Sequence, residues 1–304
     1  MKPILLSILL VGPAVQSATA GTSAETEQGQ EAIRVFISVD MEGISGIAHS
    51  EMTSANGAEY ERGRRLMVQD VVAAIEGARA GGATEFLVND SHGSMRNVKI
   101  EELPSSSVRL ISNNSKALGM MEGISEDFDA VFFIGYHAME GQPGLLAHTG
   151  SGGTIADINV NGRSMSEGGM NARVAGALGV PVALATGDEA FATEIRTLLS
   201  GEIETVAVKR HIRRRTAELI HPEDARALIR ASAQKAIEGL SRFRPTVPTV
   251  PATVTITYKN PDLADIAAIL PSVTRTGHTT IRFESDDFVH AYKMIRVLYR
   301  NLSE

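Results

Sequence analysis

Asp40 and Glu42 stand two residues apart just beyond Val35-Phe36-Ile37-Ser38-Val39, a mostly β-branched or apolar run that reads as a buried strand. While the backbone stays extended, residues at i and i+2 point to the same side, so both carboxylates project into the crevice beyond the strand's carboxyl end. Carboxylates held this close repel unless a proton, an arginine or a metal ion lies between them. Three further polar side chains sit at the ends of expected elements: His92, His137 and Glu167. Imidazole and carboxylate are the donors that suit zinc where thiolates are absent, and five of them exceed what one catalytic ion needs. A pair of ions sharing one carboxylate, about 3.5–4 Å apart, would use all five and could polarise a carbonyl while acidifying water. Each histidine taken alone reads more often as a satisfied structural residue than as a ligand.

The elements that must bring these residues together follow from periodicity. Tyr60 to Arg79 carries Leu66, Val68, Val71, Val72, Ala74, Ile75 and Ala78 at helical spacing and stops at Gly81-Gly82, which predicts a core-facing helix. Glu85 to Asn89 reads as the second strand, giving a right-handed β-α-β unit, and His92 follows its end. Val108 to Ser112 is a shorter strand candidate. Asp129 to Gly135 is a strong one that runs into Tyr136-His137. Ile155 to Val160 alternates and meets an Asn161-Gly162 hairpin signal. Glu167 opens a helix that also carries Asn171, and Pro181 to Thr186 is a further buried strand. Strand and helix segments alternate from there to Leu302. The expected fold class is α/β: a mostly parallel sheet with helices on its faces, plus a second, smaller α/β lobe. Pro245, Pro248 and Pro251 mark a stiff connection near 245–251 within the 32–304 domain.

Composition narrows the function. Residues 1–20 combine Lys2, the apolar run Ile4 to Val11 and the small-residue site Ala18-Thr19-Ala20, which predicts a secretory signal peptide cleaved near Ala20. Residues 21–31 are polar and read as a disordered lead-in. The expected location is the periplasm or the medium, with no membrane anchor, because no other segment is apolar enough to span a bilayer. A formal charge of −7 gives no long-range attraction for nucleic acid. The basic run Lys209-Arg210-His211-Ile212-Arg213-Arg214-Arg215 is the local exception and reads as a solvated strand end or subunit contact. The chain has no cysteine, so thiolate zinc sites and cysteine nucleophiles are excluded.

The strings S-V-D-M-E-G-I-S-G (38–46), Y-E-R-G-R (60–64), V-N-D-S-H (88–92), F-I-G-Y-H-A (133–138), A-H-T (147–149) and S-E-G-G-M-N-A (166–172) resemble those of the D-aminopeptidase family, the M55 zinc peptidases. The resemblance runs over essentially the whole chain beyond residue 31. It implies two zinc ions per subunit, other divalent metals being possible, held by Asp40, Glu42, His92, His137 and Glu167, with Asp40 the bridge. It places the catalytic histidine at His148. It also implies a two-lobed α/β fold, a decameric homo-oligomer, and removal of an N-terminal D-residue from a small peptide substrate. His148 is expected to stabilise the tetrahedral oxyanion or pass a proton to the leaving amine, with direct nucleophilic attack as the rival.

Around these residues, Asn89 and Asp90 are expected to orient His92, and Asn171 to meet the substrate. Asp188 and Lys209, also at strand ends, are further candidates to touch the site. Two rival functions share the metal chemistry: an amidase or esterase acting on another small acyl compound, and a non-catalytic periplasmic protein that binds metal or ligand.

Overall fold

The computed structural model describes residues 32–200 and 202–300, with isolated positions 1, 3 and 12. The signal-peptide and lead-in expectations fall on residues 1–31, which lie almost entirely outside the described residues. From Ala32 onward the described chain forms one compact unit.

The chain enters through β1 (Ile33–Val39), passes into α1 (Tyr60–Ala80), and returns through β2 (Ala83–Asp90) to β3 (Val108–Ile111) and β4 (Ala130–Tyr136). A hairpin of β5 (Ile155–Val160) and β6 (Arg163–Ser164) leads into α2 (Glu167–Ala177). Then come β7 (Val182–Asp188), α3 (Glu189–Leu198), β8 (Glu204–Arg213), β9 (Thr216–Leu219) and α4 (Pro222–Glu238). The last part holds β10 (Ala252–Tyr258), α5 (Pro261–Ala267), β11 (Thr274–Arg275), β12 (Thr280–Ser285) and α6 (Phe288–Arg300).

These strands make two sheets. Seven are ordered β3-β2-β1-β4-β7-β8-β9, all neighbours parallel except the β8–β9 pair. The other five are ordered β11-β12-β10-β5-β6 and are antiparallel throughout. The mostly parallel sheet with flanking helices is the expected class. The smaller part differs only in being built on an antiparallel sheet, and residues 245–251 lead from α4 into its central strand β10.

The large sheet is covered on both faces, which is why its strands read as unbroken apolar runs. Val35, Ile37 and Val39 pack with Phe132 and Ile134 into the core shared with α1 and α4. Phe36, Val131 and Phe133 face the opposite way, into the core shared with α2, α6 and the second sheet. Strand order reverses between β1 and β4: the chain builds outward through β2 and β3 on one side and through β4 and β7 on the other. In open α/β sheets the crevice at the carboxyl ends beside such a reversal is where ligands bind. Asp40, Glu42, His92 and His137 all lie there.

The β8–β9 hairpin was not expected from the sequence. Its arm carries the basic run, whose arginines hide the strand pattern. Lys209 pairs in register with Leu219, and Arg214-Arg215 form the turn.

Candidate metal centre

Backbone packing sets the first carboxylates in place. Beyond β1 the chain stays bound to β4: the Asp40 amide donates to the Ile134 carbonyl at 2.8 Å and the Gly43 amide to Gly135 at 2.7 Å. Gly43 lies against the Tyr136 carbonyl where any side chain would clash. Gly135, at φ +74°, lies against the Asp40 carbonyl, a conformation and a closeness that both favour glycine. This approach puts Asp40 next to His137, the first residue after β4. The Asp40 carboxylate is almost wholly buried, and its two oxygens divide between two imidazoles: Oδ1 lies 3.2 Å from His92 Nδ1 and Oδ2 lies 3.2 Å from His137 Nε2. Glu42 Oε2 lies 2.9 Å from His92 Nδ1.

Glu167 arrives from the other layer. The β5–β6 hairpin delivers the chain to Ser166, which caps α2 by accepting from the Gly169 amide at 2.9 Å, and Glu167 is the first helical residue. Its Oε1 accepts from the Gly150 amide at 2.6 Å, and its Oε2 lies 3.4 Å from His137 Nε2. Gly150 belongs to the same loop as His148, whose Nε2 is 3.7 Å from Glu167 Oε1. The His148 ring stacks on His137 with centroids 4.3 Å apart and planes 15° apart.

Backbone carbonyls fix the tautomer of all three histidines, since a carbonyl can only accept. His92 Nε2–H donates to Thr53 O at 2.9 Å, His137 Nδ1–H to Ala138 O at 2.9 Å, and His148 Nδ1–H to Leu146 O at 3.1 Å. The other nitrogen of each ring faces the carboxylates, where it offers a lone pair when the ring is neutral and a proton when it is charged. With neutral rings lone pair would face lone pair, and Asp40 Oδ2, Glu42 Oε2 and His137 Nε2 are buried without a hydrogen bond. Such an arrangement calls for positive charge at its centre.

The electrostatics agree. Burial pushes His92 and His137 toward the neutral form, but Glu42 and Asp40 around His92, and Glu167 and Asp40 around His137, hold both well above the ordinary histidine range. Burial likewise works against charge on Glu42 and Glu167, yet His92 holds the first and His137 the second below the usual carboxylate range. Protons can thus fill the site, and a divalent cation filling it would displace them. The donors fall into two sets, Asp40-Glu42-His92 and His137-His148-Glu167, each with its atoms within 4.8 Å of one another. Nitrogen and carboxylate donors in threes, joined through Asp40, fit zinc.

The flanking candidates act at one remove. Asp90 accepts from the amides of Asn97 at 2.5 Å and Val98 at 2.8 Å, and Asn97 Nδ2 holds the His92 carbonyl at 2.8 Å. Asn89 bonds the Gly119 carbonyl at 2.9 Å and accepts from Lys116 Nζ at 2.7 Å. Neither touches the His92 ring. Asp188 caps α3 through the Phe191 amide at 2.8 Å and accepts from Leu145 N at 3.3 Å, three residues before His148. Asn171 is not brought to the cluster. It is wholly buried, its Nδ2 bonding the Tyr136 hydroxyl at 2.9 Å and its Oδ1 accepting from Tyr292 at 2.7 Å. Sequence reasoning missed Thr53, Ala138 and Leu146, which act through carbonyls that any residue possesses.

Two cavities open on the cluster. One of about 340 Å³ is lined by Glu42, His148, His49, Thr53, Arg214 and Arg215, among others. The other, about 110 Å³, is lined by Asp40, His92, His148, Glu167, Arg296 and Tyr299, among others.

Comparison with known proteins agrees with this picture. The family model described as D-aminopeptidase matches residues 33–297. The chain is 34% identical over 267 residues to the D-aminopeptidase of Bacillus subtilis (strain 168), covering 88% of this chain and 96% of that protein. The solved structure of the zinc-dependent D-aminopeptidase DppA from Bacillus subtilis, named as a self-compartmentalizing protease, superposes with a TM-score of 0.85 at 33% identity, covering 89% of this chain and 98% of that one. From its first strand to its last helix, the chain belongs to the D-aminopeptidase family of M55 peptidases.

Proposed function

We propose that this chain is an exported zinc aminopeptidase that removes an N-terminal D-residue from short peptides at a dinuclear site. The observation that carries the reading is Asp40, whose two oxygens face the inward nitrogens of two different histidines, those not committed to backbone carbonyls, at 3.2 Å each. Asp40, Glu42 and His92 would hold one ion and Asp40, His137 and Glu167 the other. Zinc bound there supplies Lewis acidity, polarising the peptide carbonyl and acidifying water.

The protein's own groups do the rest. Three carboxylates and two buried imidazoles keep the reacting region fixed, so little reorganisation accompanies charge development. His148 is less buried than His137 and touches both cavities. Its Nδ1 proton is committed to Leu146, so Nε2 is the nitrogen that takes or delivers a proton at the substrate. Glu167 Oε1 lies 3.7 Å from that nitrogen, so the ring stands between a carboxylate of the cluster and the open cavities, a position that suits proton delivery to the leaving amine. Export rests on the Ile4–Val11 run and the Ala18-Thr19-Ala20 site. A homo-oligomer, with a decamer as the form to test, rests on the likeness to a relative named as self-compartmentalizing.

The test is hydrolysis of D-Ala-D-Ala, L-Ala-L-Ala and an acetylated amide, with bound metal counted by elemental analysis. The expected result is turnover of the D,D-dipeptide and about two zinc ions per chain. Fewer than one metal per chain with no hydrolysis overturns the reading.

A further inference from the structure

The basic run at 209–215 is not accounted for by the metal centre, and its members part company in the fold. Lys209 turns inward, and Arg210 pairs with Glu218. Arg214 and Arg215, at the exposed turn of the β8–β9 hairpin, have no carboxylate partner among the described residues. Both line the 340 Å³ cavity whose wall also includes Glu42 and His148. Glu42 is buried and the two arginines are exposed, so this cavity runs from the carboxylate cluster to solvent with two guanidiniums on its outer side. The hairpin is held to the catalytic loop itself, because the Leu146 amide donates to the Arg214 carbonyl at 3.3 Å.

Resting on the aminopeptidase reading, we propose that Arg214 and Arg215 bind the C-terminal carboxylate of the leaving portion of the substrate, making the enzyme selective for di- and tripeptides with a free carboxyl end. A guanidinium matches a carboxylate as a two-pronged donor, and two of them without an internal acid are placed to receive one from a ligand. Each residue beyond the cleaved bond carries the terminus at most about 3.6 Å further, so the carboxylate of a very short peptide stays within this cavity and that of a long one leaves it. Arg296, at the smaller cavity, is a poorer candidate: it is buried, donating to Tyr299 Oη at 3.1 Å and to the Lys116 carbonyl at 3.2 Å.

The test compares D-Ala-D-Ala, its C-terminal amide, and D-Ala-D-Glu-diamide, in which both glutamate carboxyls are masked, in the wild type and in the double variant Arg214→Gln/Arg215→Gln. The expected result is a fall of at least tenfold in the ratio of kcat/KM for the free acid over the amide, carried by KM. Calorimetric binding of the reduced-amide dipeptide D-Ala-ψ[CH2NH]-D-Ala and of its C-terminal amide gives a second readout, with the same loss of discrimination. An unchanged ratio, or equal losses on acid and amide, overturns the proposal. A wild type that hydrolyses none of the three overturns the aminopeptidase reading instead, and the calorimetry still decides whether these arginines hold a carboxylate.

Discussion

Lys209 Nζ donates to the carbonyl of Glu42 at 2.6 Å and to that of Ile47 at 2.7 Å. A buried lysine on β8 thus ties down both ends of the loop that presents Glu42. It does so without touching the Glu42 carboxylate, so its effect on the site passes through the backbone. Lys209→Met keeps the length of the side chain and removes the donor, leaving two buried carbonyls short of a partner at roughly 1–3 kcal/mol each. The expected outcome is a loss of about 2–6 kcal/mol in urea unfolding and a 10- to 100-fold weaker hold on zinc in competition with a chelator. Unchanged zinc affinity would remove Lys209 from the support of the site.

His148 stacks on His137 but sits on a loop, whereas His137 ends a buried strand. The two substitutions to alanine should separate. His148→Ala is expected to keep its full complement of zinc and lose about 10²- to 10⁴-fold in kcat, the range for a proton-transfer group. His137→Ala is expected to lose metal as well as turnover. Elemental analysis beside kinetics reads both, and loss of one zinc in His148→Ala would make that residue a ligand, an outcome its position beside His137 and Glu167 allows.

The parts of this site that could be read in the sequence are those that follow from strands. β1 and β4 are buried on both faces and appear as apolar runs, so the first polar residues beyond them, Asp40 and His137, mark the crevice. The α1 periodicity gave the crossover that makes the sheet parallel. What could not be read acts through the main chain or depends on the direction a side chain takes. Thr53, Ala138 and Leu146 fix the imidazole tautomers with carbonyls common to all residues. Asn171, one turn into α2, was expected to face the substrate, but the pattern of a short helix buried on most sides does not tell which polar residue looks inward. The hydroxyls that claim it, Tyr136 and Tyr292, come from 35 and 121 residues away.

Metal loading should release protons. His92 and His137 are held well above the ordinary histidine range by the surrounding carboxylates, so both carry a proton at neutral pH in the metal-free protein. Zinc takes the neutral imidazole, so binding displaces about two protons. Titration of zinc into chelator-treated protein, in buffers of different ionisation enthalpy, should give heats that change with the buffer and a release that shrinks as pH rises. Zinc at a hundredfold excess over its dissociation constant should add about 2.7 kcal/mol to the folded state. Heats independent of the buffer would mean that the imidazoles are already neutral and the site preformed for metal.

Asp70 on α1 offers a pH dependence separable from the metal. It is wholly buried and accepts from the Ser45 amide at 2.8 Å and the Ser45 hydroxyl at 2.7 Å. Burial outweighs those bonds and the charges of Arg226 and Lys209, and pushes the carboxyl up to about 6. The native state therefore binds this proton more tightly than the unfolded chain, whose aspartates titrate near 3.9. Stability should fall as pH rises from about 4 to about 6 and stay reduced above that, a contribution on the order of 2–3 kcal/mol. Asp70→Asn keeps an acceptor for the Ser45 amide, offers its own N–H to the Ser45 hydroxyl, and has no proton to lose. The variant should be of nearly wild-type stability at pH 4 and more stable than wild type at pH 7, as read by urea midpoints at both values. A difference between the two proteins that does not change with pH would show that Asp70 is ionised throughout, with Ser45 and the nearby cations outweighing its burial.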